Sequence, residues 1–161
     1  MKAATINELK QELNVISPAK LLEICLRLAK YKKDNKELIS YLLFEAHDET
    51  AYIDSVKKDM DEQFSLINKS NLYFAKKSLR KILRTTAKYI RYAGSKQAEV
   101  ELLLYFCISL VNSGISIYKN QALKNLYQGQ LKKINKVIAT LHEDLQYDYL
   151  KELENLSSAN T

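Results

Sequence analysis

The sequence predicts an all-α protein of six to eight antiparallel helices. Three observations carry that expectation. The chain of 161 residues holds only one Pro and three Gly. Apolar residues recur at three- and four-residue steps along most of it, and helix start and stop signals fall at the ends of those runs. Sheets and long loops consume Gly and Pro, so this scarcity favours helices joined by short turns. A chain of this length, 47% hydrophobic and 27% charged, is read as one domain with a real core over residues 1–156. Residues 157–161, "SSANT", are read as a frayed tail.

The elements follow in order. Thr5 and Glu8 form a capping box opening a short first helix with Ile6, Leu9 and Leu13 as its apolar residues. Ser17 caps a second helix and Pro18 takes its first position, where a missing N–H costs nothing. Leu21, Leu22, Cys25, Leu28 and Ala29 then repeat at helical spacing. "DNKE", Asp34 to Glu37, reads as a cap between two antiparallel helices, and the third helix carries Leu38, Ile39, Leu42 and Leu43. Asp48 caps the fourth, with Ile53, Val56, Met60, Phe64 and Ile67 inward. "NKSN" at Asn68 to Asn71 breaks it, and the fifth runs from Leu72 to Ala93, stopped by Gly94. Ser95 caps a sixth, Lys96 to Val111, which is apolar on nearly every side from Leu102 onward and so belongs in the middle of the fold. From about Tyr118 a long helical stretch buries Leu123, Leu126, Leu131, Ile134, Val137, Ile138 and Leu141. Thr140 and Glu143 can restart it as a last helix with Leu145, Leu153 and Leu156 inward, and the sequence leaves open whether residues 118–156 form one helix or two.

The N-terminus lacks the continuous apolar run of a secretory signal. The longest uncharged stretch, Leu102 to Tyr118, is shorter than the ~20 residues of a spanning helix and is interrupted by Asn112, Ser113 and Gly114. Cys25 and Cys107 lie in apolar helical contexts and read as buried reduced thiols. A cytoplasmic protein with no membrane partner is expected.

The segment "LLEICLRLAKYKKDNKELISYLLFEAHDE" resembles the start of small bacterial all-helical proteins of HEAT-like type. The likeness lies in the style of its helix pairs. It implies a short HEAT-like stack of helix pairs as the alternative to a helical bundle. The Pro, Asp and Arg that mark HEAT motifs do not recur, and no functional residues carry over.

The most distinctive stretch is residues 75–94, "AKKSLRKILRTTAKYIRYAG", with seven Lys or Arg and no Asp or Glu. On a wheel of ~100° per residue, Lys76, Lys77, Arg80, Lys81, Arg84, Lys88 and Arg91 share an arc of about 140°. Leu72, Leu79, Ile82, Leu83 and Ile90 occupy a separate arc of about 100°. Tyr73 lies amid the cations and Tyr92 at their edge. Charge is also segregated along the chain. Residues 1–62 hold ten basic and twelve acidic side chains, and residues 143–161 hold one and five. Residues 63–142 hold fourteen basic side chains and only two acidic ones, Glu99 and Glu101. Lys76, Arg80, Arg84 and Lys88 make an i,i+4 ladder of like charge, which costs a helix a few tenths of a kcal/mol per pair.

Such a face is either solvated, covered by acids from elsewhere, or a binding surface for something anionic. "HEDLQYDYLKELE" and "KKDMDEQ" are the acidic segments available to cover it. Tyr73 and Tyr92 would offer stacking platforms to single-stranded nucleic acid. No zinc-finger spacing, RNP sequence, GXXG loop or helix-turn-helix accompanies them.

The chain's two histidines, His47 and His142, each precede two acids, but at helix starts rather than at metal-ligand spacing. No Gly-rich phosphate loop or nucleophile–base arrangement is present, so no catalytic residue, metal or cofactor is assigned. The function expected is a non-catalytic interaction module whose basic helix binds an acidic protein partner. The alternative is a nucleic-acid-binding protein using the same cations on phosphates, and an enzyme using carboxylates with His47 or His142 is a third reading. A homodimer, with the acidic tail of one copy on the basic helix of another, is a further reading of the same charges.

Overall fold

A computed structural model describes residues 2–158, and among them every regular element is helical. The helices are α1 (Ile6–Val15), α2 (Pro18–Tyr31), α3 (Lys33–Phe44), α4 (Glu49–Ser65), α5 (Leu72–Ala93), α6 (Lys96–Asn112), α7 (Gln121–Ile138) and α8 (Glu143–Ser158). A 3-10 turn at Ile117–Lys119 lies between α6 and α7. Among the described residues no helix is long and apolar enough to cross a membrane. The chain forms two compact units, Met1–Phe44 and Glu45–Thr161.

In the N-terminal unit the local signals act as expected. The Thr5 backbone N–H donates to the Glu8 carboxylate at 2.7 Å, and the Glu8 N–H donates back to the Thr5 hydroxyl at 3.3 Å. Ser17 accepts from the Lys20 N–H at 3.3 Å, with Pro18 in the first turn. The expected cap at Asp34 is displaced. Lys32 alone separates α2 from α3, so α3 starts two residues earlier than a cap at Asp34 implies and Asp34 falls inside its first turn, where a carboxylate still meets the positive end of the helix. Asn35 ties the junction by donating to the Leu28 carbonyl at 2.9 Å.

What the unit lacks is a core. Helices α1 and α2 bury no residue, and α3 buries only Tyr41. Leu42 and Leu43, expected inward, are exposed, and Leu38 and Ile39 are half-buried. Of the nineteen large apolar side chains exposed among the described residues, twelve lie before residue 45. Helices held by so little burial open locally at small cost. Amide hydrogen exchange in α1 and α2 is therefore expected to run at least ~100-fold faster than in α6, which global opening must expose. Equal protection in the two regions would show that these helices are held by burial this structure lacks.

The C-terminal unit is built around α6. Ala98, Val100, Leu102, Leu103, Leu104, Phe106, Cys107 and Leu110 of this helix are all buried. Helices α4, α5, α7 and α8 each pack on it, which accounts for its apolarity on every side. The α4 stripe of Ile53, Val56, Met60 and Phe64 is buried as the spacing predicts, and Ile67 is buried just beyond the helix end. Leu123, Ile134, Val137 and Ile138 of α7 are buried, with Leu126, Leu131 and Leu141 half-buried. Tyr127 joins them in the core, where the sequence reading did not place it. Residues 118–156 form two helices, interrupted by a turn after Ile138. Helix α8 runs through Ser158, two residues into the segment read as a tail, and the rest of that segment lies outside the described residues. Cys107 is buried as expected, whereas Cys25 is only half-buried, and both are free thiols.

Candidate anion-binding interface

Helix α5 owes its position to two local devices. Asn71 caps its start, the side-chain carbonyl accepting from the Tyr73 and Phe74 N–H groups at 3.0 and 3.3 Å. Gly94 ends it at φ 64°, donating to the Ile90 carbonyl at 3.0 Å. That left-handed turn is cheap only for a residue without Cβ. Between the two ends, Ala75, Leu79, Ile82, Thr86 and Ile90 are buried against α4 and α6. The basic arc is thereby turned outward along a helix ~33 Å long.

Lys77, Arg80, Lys81, Arg84 and Arg91 are exposed, and Lys76 and Lys88 are half-buried. Among the described residues, no carboxylate lies within ion-pair distance of Lys76, Lys77, Arg80, Lys81, Arg84 or Arg91. Lys88 is engaged differently, its ammonium lying 5.4 Å from the Tyr89 ring and 6.0 Å from that of Tyr92. Tyr89 and Tyr92 are themselves paired at 6.3 Å, and Tyr52 donates to the Tyr89 carbonyl at 3.1 Å. Tyr92 is thus part of a half-buried cluster. Tyr73 is 65% exposed and stands open among the cations.

The acids named in the sequence as cover for this face are placed elsewhere. Helix α8 packs on α7 and α6, whereas α5 packs on α4 and α6. Within "KKDMDEQ", Asp59 accepts from Gln63 at 2.8 Å and Asp61 accepts from the Tyr105 hydroxyl at 2.7 and 2.8 Å. The two acids of the basic segment are engaged as well. Glu101 accepts from Tyr149 at 2.9 Å and from Gln97 at 3.2 Å, and pairs with Lys57 at 3.5 Å. Glu99 bridges Lys133 at 3.0 Å and Lys96 at 3.3 Å. Burial pushes the Glu99 carboxyl up, but the hydrogen bonds and charges of the two lysines outweigh it and leave the group below its usual range. It therefore supports the fold above the ordinary carboxylate range, and this support is lost as pH falls through its lowered value.

Two features of this surface escape a wheel drawn on α5 alone. At its C-terminal end a groove of about 360 Å³, lined in part by Arg91, Lys96, Glu99 and Lys133, carries the basic surface onto α6 and α7. The excess of cations over residues 63–142 was the available signal, since it extends beyond α5. At the other end Leu66, Leu72, Tyr73 and Phe74 are exposed, with the Tyr73 and Phe74 rings edge-on at 5.4 Å. Leu66 is 83% exposed and Phe74 51%. The sequence placed Leu72 inward; at the first turn of α5 it is only partly covered.

His47 lies in the turn before α4, and His142 pairs with Asp144 at 3.4 Å. Among the described residues no three His, Cys, Asp or Glu side chains stand together to hold a metal ion. Comparison with protein-family models, with curated proteins and with solved structures finds no match.

Proposed function

We propose that this protein is a non-catalytic interaction module whose α5 face binds an acidic protein partner. One observation carries the reading: among the described residues six cations of α5 have no carboxylate partner, and the row they form runs toward exposed apolar side chains, Leu66, Leu72, Tyr73 and Phe74, at the N-terminal end of the helix. Protein interfaces combine such aromatic and aliphatic anchors with charges that steer and align the partner. A phosphate backbone has no use for Leu66 and Leu72. The same cations support nucleic-acid binding as the second reading, with the exposed Tyr73 as a stacking ring. The HEAT-like resemblance stays within the proposal, supported by the packing of α2 on α3, and the binding argument does not depend on it.

Fluorescence anisotropy with a labelled acidic amphipathic peptide, and with single- and double-stranded DNA and RNA, separates the two readings. The expected result is peptide binding that falls at least ~10-fold in Arg80→Gln/Arg84→Gln and also in Tyr73→Ala/Phe74→Ala. Nucleic-acid binding with a log–log salt slope near −4 to −5, matching about five phosphate contacts, would replace the first reading by the second. Absence of binding to every probe at low salt would remove both.

A further inference from the structure

We propose that the acidic partner of α5 is α8 of a second copy of this chain; the inference rests on the reading of α5 given above. Helix α8 carries Asp144, Asp148 and Glu152 at i,i+4 spacing, all exposed. That is an acidic ladder with the same rise, ~6 Å per step, as the basic ladder of Lys76, Arg80 and Arg84. Like charges at this spacing destabilise each helix taken alone, and opposite charges at equal spacing on two helices relieve both ladders at once. Apolar contacts match too. Tyr147 is 69% exposed beside the acids, as Tyr73 and Phe74 are beside the cations.

Within one copy the ladders do not meet. Helix α5 lies against α4 and α6, whereas α8 lies against α7 and α6. Among the described residues no ion pair joins Arg80 or Arg84 to Asp148 or Glu152. A second copy resolves this. Under a twofold axis, α5 of each protomer meets α8 of the other, giving two identical contacts in a closed dimer. Residues 143–161 are locally acidic although the whole chain has a net charge of +6, so the pairing neutralises the chain's basic face with its acidic one.

Sedimentation of the full chain over a range of concentrations tests this directly. The expected result is a dimer at ~0.05 M salt that dissociates at ~0.5 M, because exposed charge pairs are screened. Arg80→Glu/Arg84→Glu and Asp148→Lys/Glu152→Lys should each weaken the dimer at least ~100-fold. An equimolar mixture of the two variants should restore it to within ~3-fold, since one contact is then native and the other charge-reversed. A dimer indifferent to both reversals, or not restored by mixing, would overturn the proposal and point to the exposed apolar faces of the N-terminal unit instead. A monomer at every salt concentration would overturn it as well. In that case retained binding of the acidic peptide leaves the α5 reading standing with another partner, and its loss removes that reading too.

Discussion

Replacing Phe106 by alanine is expected to destabilise the C-terminal unit by about 3–5 kcal/mol. The side chain is fully buried on α6, and its ring packs on that of Phe64 with centroids 5.6 Å apart and planes at 50°. Truncation removes the transfer free energy of the ring, leaves a cavity that the surrounding helices cannot fill by moving one side chain, and deletes the aromatic pair. Because α6 touches four other helices, collapse around the cavity would disturb all of them. A domain is stable by only about 5–15 kcal/mol, so the variant loses a large share of its margin. Urea unfolding followed by tyrosine fluorescence measures it, since the chain contains no Trp and Tyr52, Tyr105 and Tyr127 report on this unit. The midpoint should fall with little change in slope. Leu43→Ala, at an exposed position of the N-terminal unit, is the contrasting case and should shift stability by no more than about 0.5 kcal/mol. Equal effects from the two would show that the core is not centred on α6.

The difference between these two leucine- and phenylalanine-bearing helices marks the limit of what the sequence conveys. Helix limits were legible because caps act over three or four residues: Thr5 with Glu8, Ser17, Asp48 and Ser95 all accept the hydrogen bonds their positions imply. Gly94 ends α5 for an equally local reason. The central place of α6 was legible because an all-round apolar surface has no stable alternative to burial. By contrast, Leu42 and Leu43 form an apolar stripe whether or not anything covers it. Periodicity identifies the face that seeks a partner, not whether one is present within the unit.

The candidate site divides along the same line. The seven α5 cations share an outward arc because the wheel is a property of one helix. Whether acids cover them is a question about other helices, and composition had supplied two acidic segments. Helix α8 packs on α6 and α7, and Asp59 and Asp61 of the α4 segment accept hydrogen bonds from Gln63 and Tyr105. Tyr73 and Tyr92 show the contrast at single-residue scale. Both sit near the cations on the wheel, but Tyr92 is drawn into a cluster with Tyr89 and Lys88, and Tyr73 at the first turn is not. Leu66 was invisible as a surface feature because its neighbour Ile67, and not Leu66, continues the apolar spacing of α4 past the helix end, and the stripe alone says nothing of the residue beside it.

Alkaline solution should progressively destabilise the C-terminal unit between about pH 9 and about 12, by a route different from that of the Phe106 truncation. Burial pushes the Tyr127 hydroxyl from 10.0 to about 12, aided by the neighbouring Cys107 and Tyr118. Burial likewise raises the Cys107 thiol from 9.0 to about 12. Tyr105 reaches about 12 through burial and through the proton it donates to Asp61, and Tyr149 is raised in the same way beside Glu101. In each case the folded state holds its proton more tightly than the unfolded chain does. The stabilisation is complete below the unfolded value, declines as pH rises above it, and is lost once pH passes the folded one. Above about pH 9 for the thiol and about pH 10 for the tyrosines, the unfolded chain gains free energy by ionising groups that the core keeps neutral. Helical circular dichroism and tyrosinate absorbance should therefore change together, cooperatively, in that window. Tyr105→Phe should flatten the alkaline limb, because it removes one of the groups that drives it, and should lower stability at neutral pH by leaving Asp61 without its donor. Helicity that survives to pH 12 while these tyrosines ionise would mean that their protons are not held by packing, and that the unit around α6 is looser than its burial requires.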